Sequence, residues 1–157
     1  MFIESGIHRK PLVTGSFDSA RCPTIDIEIS GPLGHKHQFT AMVDTGFSGF
    51  LLLPILSAFP VGLLLQGTMR ITLADGSTQT KLTCLGSIHF DGKEDVGVIV
   101  IEPQNTQVLV GMEFLRIFNL RLTVEPNSGI VEIVAGTPIP TAPPPAPETP
   151  NIPPAQN

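Results

Sequence analysis

Between its many glycines and prolines the chain alternates apolar and polar residues with a period of two, the spacing at which a strand buries one face and wets the other. TIDIEI at 24–29 is the clearest case, and FTAMV at 39–43 resumes the pattern after the turn-forming SGPLGHKHQ. GTMRITL at 67–73 and STQTKLTCLGSIHF at 77–90 flank Ala-Asp-Gly at 74–76. That arrangement predicts a β-hairpin with a tight Asp-Gly turn. A second Asp-Gly, at 91–92, precedes the strand DVGVIVI, and TQVLV at 106–110 is short and apolar. LRLTV and GIVEIV then pair about the turn signal EPNSG. Only GMEFLRIF at 111–118 carries helical spacing, with Met112, Leu115 and Ile117 expected on its packed side. Many short strands and one short helix predict an all-β, barrel-like domain.

Two stretches break the alternation. Residues 47–65, FSGFLLLPILSAFPVGLLL, hold no charge at all. Pro54, Pro60 and Gly62 interrupt them, whereas a membrane-spanning helix needs roughly 20 unbroken apolar residues. They read as a buried strand followed by an apolar loop, with Leu63, Leu64 and Leu65 as candidates for an exposed docking surface. No membrane contact is expected. After residue 135 the chain becomes Pro-rich and nearly uncharged, GTPIPTAPPPAPETPNIPPAQN, the composition of a polyproline-like or disordered tail. Its P-x-x-P spacings have no nearby Arg or Lys to orient them as an SH3-type ligand. The expected division is an N-terminal segment over 1–23, a folded domain over 24–134 and a tail over 135–157.

Composition narrows the function classes. A chain of 157 residues, 41% hydrophobic and 15% charged, supports one good core with a thinly charged surface. The net charge of −5 argues against nucleic acid as a partner, which would call for a basic stripe. Cys22 and Cys84 show no metal or redox spacing, although they could pair with each other. His35 and His37 form an H-x-H expected in a turn, too few ligands for a metal site. Neither a metal nor a cofactor is expected. The opening MFIESGIHRK has Glu4 early and no apolar h-region, so no signal peptide is read there and the cytoplasm is the expected compartment.

The candidate chemistry sits in FTAMVDTGFSGFLLLP at 39–54, where Asp44 ends an apolar run and precedes Thr45-Gly46. A carboxylate is costly in apolar surroundings, so it is either a turn residue or a group whose environment is built to change its proton affinity. Leu109-Val110-Gly111, two apolar residues and a glycine, stands immediately before the short helix, and the 67–90 hairpin lies between the two motifs. Together these resemble the retropepsin-like aspartic proteases, over roughly residues 24–134, and the single-domain bacterial and archaeal members more than the two-lobed pepsins.

The resemblance implies a closed acid-protease barrel, a flap hairpin, and peptide or protein substrates. It assigns Asp44, Thr45 and Gly46 to the catalytic loop, and Phe47 and Ser48 with Ala74, Asp75, Gly76 and Ser77 to substrate contact and the flap. Leu109, Val110 and Gly111 would brace the loop. Two carboxylates held about 3 Å apart cannot both ionise and so share one proton, one serving as base toward water and the other as acid toward the scissile carbonyl. The sequence holds a single Asp-Thr-Gly, so the implied dyad needs a homodimer in which Asp44 meets its symmetry mate. Three positions depart from the family pattern. Phe47 stands where a small Ala is usual, and Ser48 and Met112 replace the Asp and Arg that pair in viral members. Dimer support is then expected from the terminal strands. The competing expectation is a non-catalytic module of the same fold that binds extended peptides.

Overall fold

A computed structural model describes residues 11–73 and 75–138. The first ten residues of the N-terminal segment, the hairpin residue Ala74 and the tail beyond residue 138 lie outside them. Six strands form a closed ring. β3 (Pro23–Ser30) pairs antiparallel with β4 (Lys36–Val43), and β4 runs parallel to β9 (Val108–Val110). β9 is antiparallel to β5 (Leu51–Pro54), and β5 is parallel to β8 (Lys93–Glu102). β8 is antiparallel to β7 (Thr78–Phe90), which returns to β3 through Glu28 opposite His89, Ile29 opposite Ile88 and Ser30 opposite Ser87. Ser30 Oγ and His89 Nε2 share a 2.8 Å hydrogen bond at this closure.

Other strands extend the ring without closing it. β6 (Leu65–Thr72) pairs with the first part of β7 and is exposed along most of its length. β2 (Ser16–Phe17) lengthens the sheet beside β3. β1 (Val13–Thr14), β11 (Ile130–Ala135) and β10 (Leu120–Glu125) make a separate three-stranded sheet with β11 in the middle. The expected 120–134 hairpin is therefore present, and β10 is left as an edge strand. Asp91 and Gly92 form the two-residue β7–β8 turn with both residues at positive φ, the backbone that matches strand twist.

The period-two reading placed the core correctly. Ile25, Ile27 and Ile29 of β3, Leu51 and Leu53 of β5, and Ile99 and Ile101 of β8 all point into the barrel and are essentially fully buried. An aromatic cluster closes one region of this core, with the Phe114 ring 6.3 Å from Phe50, 5.3 Å from Phe90 and 5.0 Å from Phe118. Phe114 belongs to α2 (Met112–Ile117), the expected helix. Its packed side differs from expectation: Phe114 and Leu115 are buried while Met112 is 45% exposed. Docking the largest side chain, Phe114, into the ring of phenylalanines decides the rotation of so short a helix.

A second helix, α1 (Ile55–Val61), replaces the expected apolar loop. Ile55, Ala58 and Val61 recur every third residue and pack on the core, while Leu56 and Phe59 face solvent. Because nearly every residue here is apolar, the sequence shows little contrast from which to read the period, and Pro60 argues for a loop. The helix accommodates Pro60 near its end and stops at Gly62, whose amide donates to the Phe59 carbonyl at 3.0 Å. Beyond it, Leu64 and Leu65 are exposed, as a docking surface requires, but Leu63 packs partly buried against the core. His37, expected in a turn, lies in β4, and the two cysteines are free thiols rather than a pair. Among the described residues no helix is long and apolar enough to cross a membrane.

Candidate active site

Asp44 is the first residue past β4, and its position follows from an unusual order of strands. β4 and β5 are consecutive in the chain but do not pair; β9 is inserted between them, with Val110 opposite both Val43 and Leu51. The connection 44–50 must therefore pass over the end of β9. Asp44 donates its amide to the Val110 carbonyl at 2.9 Å, and the chain then turns sharply, Phe47 N–H donating to the Asp44 carbonyl at 3.1 Å. The Gly46 amide donates to Asp44 Oδ1 at 2.9 Å, which fixes the carboxylate on its own loop.

The turn from β9 into α2 braces this loop from beneath. Met112 N–H donates to the Phe47 carbonyl at 2.8 Å, while Gly111 and Glu113 donate to Phe50 and Gly49 at 3.2 Å each. A Cβ on Gly111 would lie 2.3 Å from the Gly49 carbonyl oxygen and 2.4 Å from that of Phe47, so the loop can sit this low only over glycine. Arg116 grips Glu113 one turn along α2 through two hydrogen bonds, of 2.7 and 2.5 Å. The pair lowers the Glu113 pKa and raises that of Arg116.

Asp44 is half-buried and opens on a cleft of about 220 Å³. Gly46, Phe47, Leu52 and Leu109 line its base, and Ile71, Thr72 and Leu73 from the β6–β7 hairpin line the opposite side. Lys81 and Glu102, an ion pair from β7 and β8, complete the wall. Thr45 instead faces a second, mostly apolar cleft of about 490 Å³, formed by Met112, Leu115, Leu120 and Leu122 with Arg116 and Arg121. The Asp-Thr-Gly loop thus separates two faces, one under the hairpin and one beside α2 and β10. Another cleft, of about 420 Å³ between Glu28, Lys36, His89 and Lys93, shares no residue with either.

The structure brings together Asp44, Gly46, Phe47 and Leu109 in one cleft, with Val110 and Gly111 beneath the loop. Ser48 is exposed and does not line the cleft. Asp75, Gly76 and Ser77 form the exposed hairpin tip, where Ser77, through its hydroxyl and then its amide, holds the Asp75 carboxyl below the usual aspartate range. The hairpin meets the cleft through its arms rather than its tip. Sequence reading missed Ile71, Thr72, Leu73 and Lys81 for that reason, and Leu52 and Glu102 because they reach the cleft from β5 and β8, which only the barrel pairing brings beside it. Phe47 both lines the cleft and lays its ring over Gly49, where a Cβ would come 2.4 Å from the ring edge. Among the described residues no three His, Cys, Asp or Glu side chains are placed to hold a metal ion.

A sequence profile of aspartyl proteases matches residues 25–114, more than half of the chain, from the first barrel strand through the bracing turn into α2. The chain belongs to the aspartyl protease family. Its fold is that of the retropepsin-like members. The EIAV protease complexed with the inhibitor HBY-793 superposes with a TM-score of 0.52 at 12% identity, covering 69% of this chain and 99% of that one. A retropepsin-like aspartic protease from Rickettsia conorii gives 0.51 at 17% identity, covering 78% and 92%. No curated protein matches the chain. Within the family fold, the closed barrel, the hairpin beside the Asp-Thr-Gly loop and the apolar-apolar-Gly brace are all present here.

Proposed function

We propose that this aspartyl protease family member is an endopeptidase that hydrolyses peptide bonds between two Asp44 carboxylates of a homodimer. The observation that carries the reading is the placing of Asp44. It lines a cleft that Ile71, Thr72 and Leu73 of the hairpin also line, from a loop fixed by Gly46 and braced by Gly111, and the sequence holds no second Asp-Thr-Gly. The apolar face beyond Thr45 offers a surface on which a second copy could seat, bringing its own loop beside the first.

In such a dimer one ionised Asp44 takes a proton from water as the oxygen attacks the scissile carbonyl carbon. The other, protonated, gives its proton to the carbonyl oxygen. Collapse of the tetrahedral intermediate breaks the C–N bond: the leaving nitrogen takes the proton held by the first Asp44, a hydroxyl of the intermediate returns its proton to the second, and the pair again holds one proton between two carboxylates. The hairpin would cover an extended peptide and exclude water.

Subunit mixing tests the shared site. Asp44→Asn protein should be inactive alone yet still pair, since Asn is nearly isosteric and removes a like charge. Exchanged in equal amounts with wild type, it should leave about a quarter of dimers with both aspartates, whereas a site within one chain would lose only by dilution, to about half. Peptide cleavage falling linearly with mutant fraction, rather than as the square of the wild-type fraction, would sink the shared dyad. Phe47 in the cleft favours one rival, a non-catalytic peptide-binding module. That rival predicts peptide binding without cleavage by wild type and by Asp44→Ala alike.

A further inference from the structure

Besides Asp44 itself, the charged groups in the lining of the Asp44 cleft are Lys81 and Glu102. Their side chains are only 17% and 16% exposed, and they form an ion pair. Register places them together: Leu82 of β7 pairs with Ile101 of β8, so Lys81 and Glu102 are the next residues outward along the two strands. Glu102 is also fixed by the Gln104 amide, which donates to Oε1 at 3.3 Å. The same two residues line a second cleft, of about 330 Å³, whose other walls include Gln79, Thr80 and Gln104. Lys81 and Glu102, which line both, are therefore the partition between the Asp44 cleft and a neighbouring one of mixed polar and apolar lining.

A largely buried ion pair carries a desolvation cost and is often matched in stability by apolar residues of similar size, so stability alone does not account for a charged pair on this wall. Among the described residues Glu102 is the one polar partner of Lys81, which leaves ammonium N–H groups free to donate. Glu102 keeps lone pairs free to accept. A leucine-like side chain pressed against the pair would strip water from both ions without replacing its hydrogen bonds. A carboxylate would be drawn to Lys81 but repelled by Glu102, and an ammonium the reverse. A carboxamide does neither. Its oxygen accepts from the ammonium while its N–H donates to the carboxylate.

Resting on the proteolytic reading above, we infer that Lys81 and Glu102 are specificity-determining residues that select a carboxamide side chain, Gln or Asn, in a peptide running from the Asp44 cleft across the partition.

The test uses a set of otherwise identical peptides in which Gln, Leu, Glu or Lys is placed in turn at each position flanking the scissile bond. In wild-type protein one position should favour Gln over Leu by about tenfold or more in kcat/KM, well short of the roughly 10⁴-fold by which a fully enclosed hydrogen-bonding site rejects an analogue lacking its polar group. Lys81→Met combined with Glu102→Leu should erase or reverse that preference while other positions keep theirs. Lys81→Glu combined with Glu102→Lys, which restores a pair of opposite polarity, should retain it, because a carboxamide can turn over. A purely structural role would lower activity toward all peptides alike, and an unchanged Gln preference in the apolar double variant would overturn the inference. Should wild type cleave nothing, the proteolytic reading fails separately. Binding of the same peptides to Asp44→Asn protein, read by fluorescence anisotropy, then decides the subsite: a Gln preference lost in the apolar double variant supports it, and the lack of one rejects it.

Discussion

Gly111 lies so close beneath Phe47 that a Cβ on it would come within 2.4 Å of the Phe47 carbonyl oxygen, the same oxygen that accepts the Met112 amide at 2.8 Å. The φ of Gly111, −108°, is open to any residue, so the constraint is contact with the loop and not backbone conformation. Gly111→Ala must lift the segment that carries Asp44. We expect a loss of about 1–3 kcal/mol in urea unfolding, in line with overpacked sites, and a fall in peptide cleavage at temperatures where the variant is still folded. Stability and cleavage both equal to wild type would mean that the loop does not rest on this turn.

The shared-proton mechanism proposed above would make cleavage depend on pH in both directions. A carboxylate dyad works with one proton between its two members, so on that proposal the rate should pass through a maximum on the acidic side, at about pH 4 to 6 by comparison with known dyads. A rate that climbs steadily into alkaline pH would exclude an aspartate pair.

The hairpin tip should withstand that acidity. Ser77 holds the Asp75 carboxyl below its ordinary range in the folded chain. A depressed folded pKa contributes stability that is present above the unfolded value and lost as pH falls through the folded one. The Asp75–Ser77 turn should therefore persist across the acidic working range and loosen only below it. The Ser77 amide resonance, followed by NMR from neutral to strongly acidic pH, should move at a pH lower than an unperturbed aspartate would give. Asp75→Ala should abolish that transition.

Core and surface leucines and phenylalanines should separate cleanly. Phe114 is fully buried among Phe50, Phe90 and Phe118, so Phe114→Ala should cost about 3–5 kcal/mol. Leu64, 60% exposed, should tolerate Ser within about 0.5 kcal/mol. Leu63→Ser should fall between the two, because Leu63 packs partly against the core. Thermal or denaturant unfolding of the three variants ranks them directly, and equal losses at Leu63 and Leu64 would contradict their different burial.

Alternation is a local property, and whatever depended on it was legible in the order of residues alone. The inward isoleucines of β3, the Asp-Gly turn at 91–92 and the strand just before Asp44 follow from the pleat and from turn backbone, whereas the hairpin at 75–76 turns through a longer loop between Thr72 and Thr78 rather than the tight Asp-Gly turn expected. The Asp-Thr-Gly and Leu-Val-Gly motifs could be read as a pair only through a family resemblance, since nothing in their spacing says that β9 slips between β4 and β5. Strand pairing uses the same main-chain hydrogen bonds whatever the sequence, so the insertion of β9 and the closure of β7 on β3 were decided by packing of the whole barrel. α1 stayed hidden because a run with almost no polar residues has no period to read. The Lys81–Glu102 partition stayed hidden because the two residues meet only when two long strands align in register. Local chemistry wrote the strands and turns; the distant meeting of strands made the cleft.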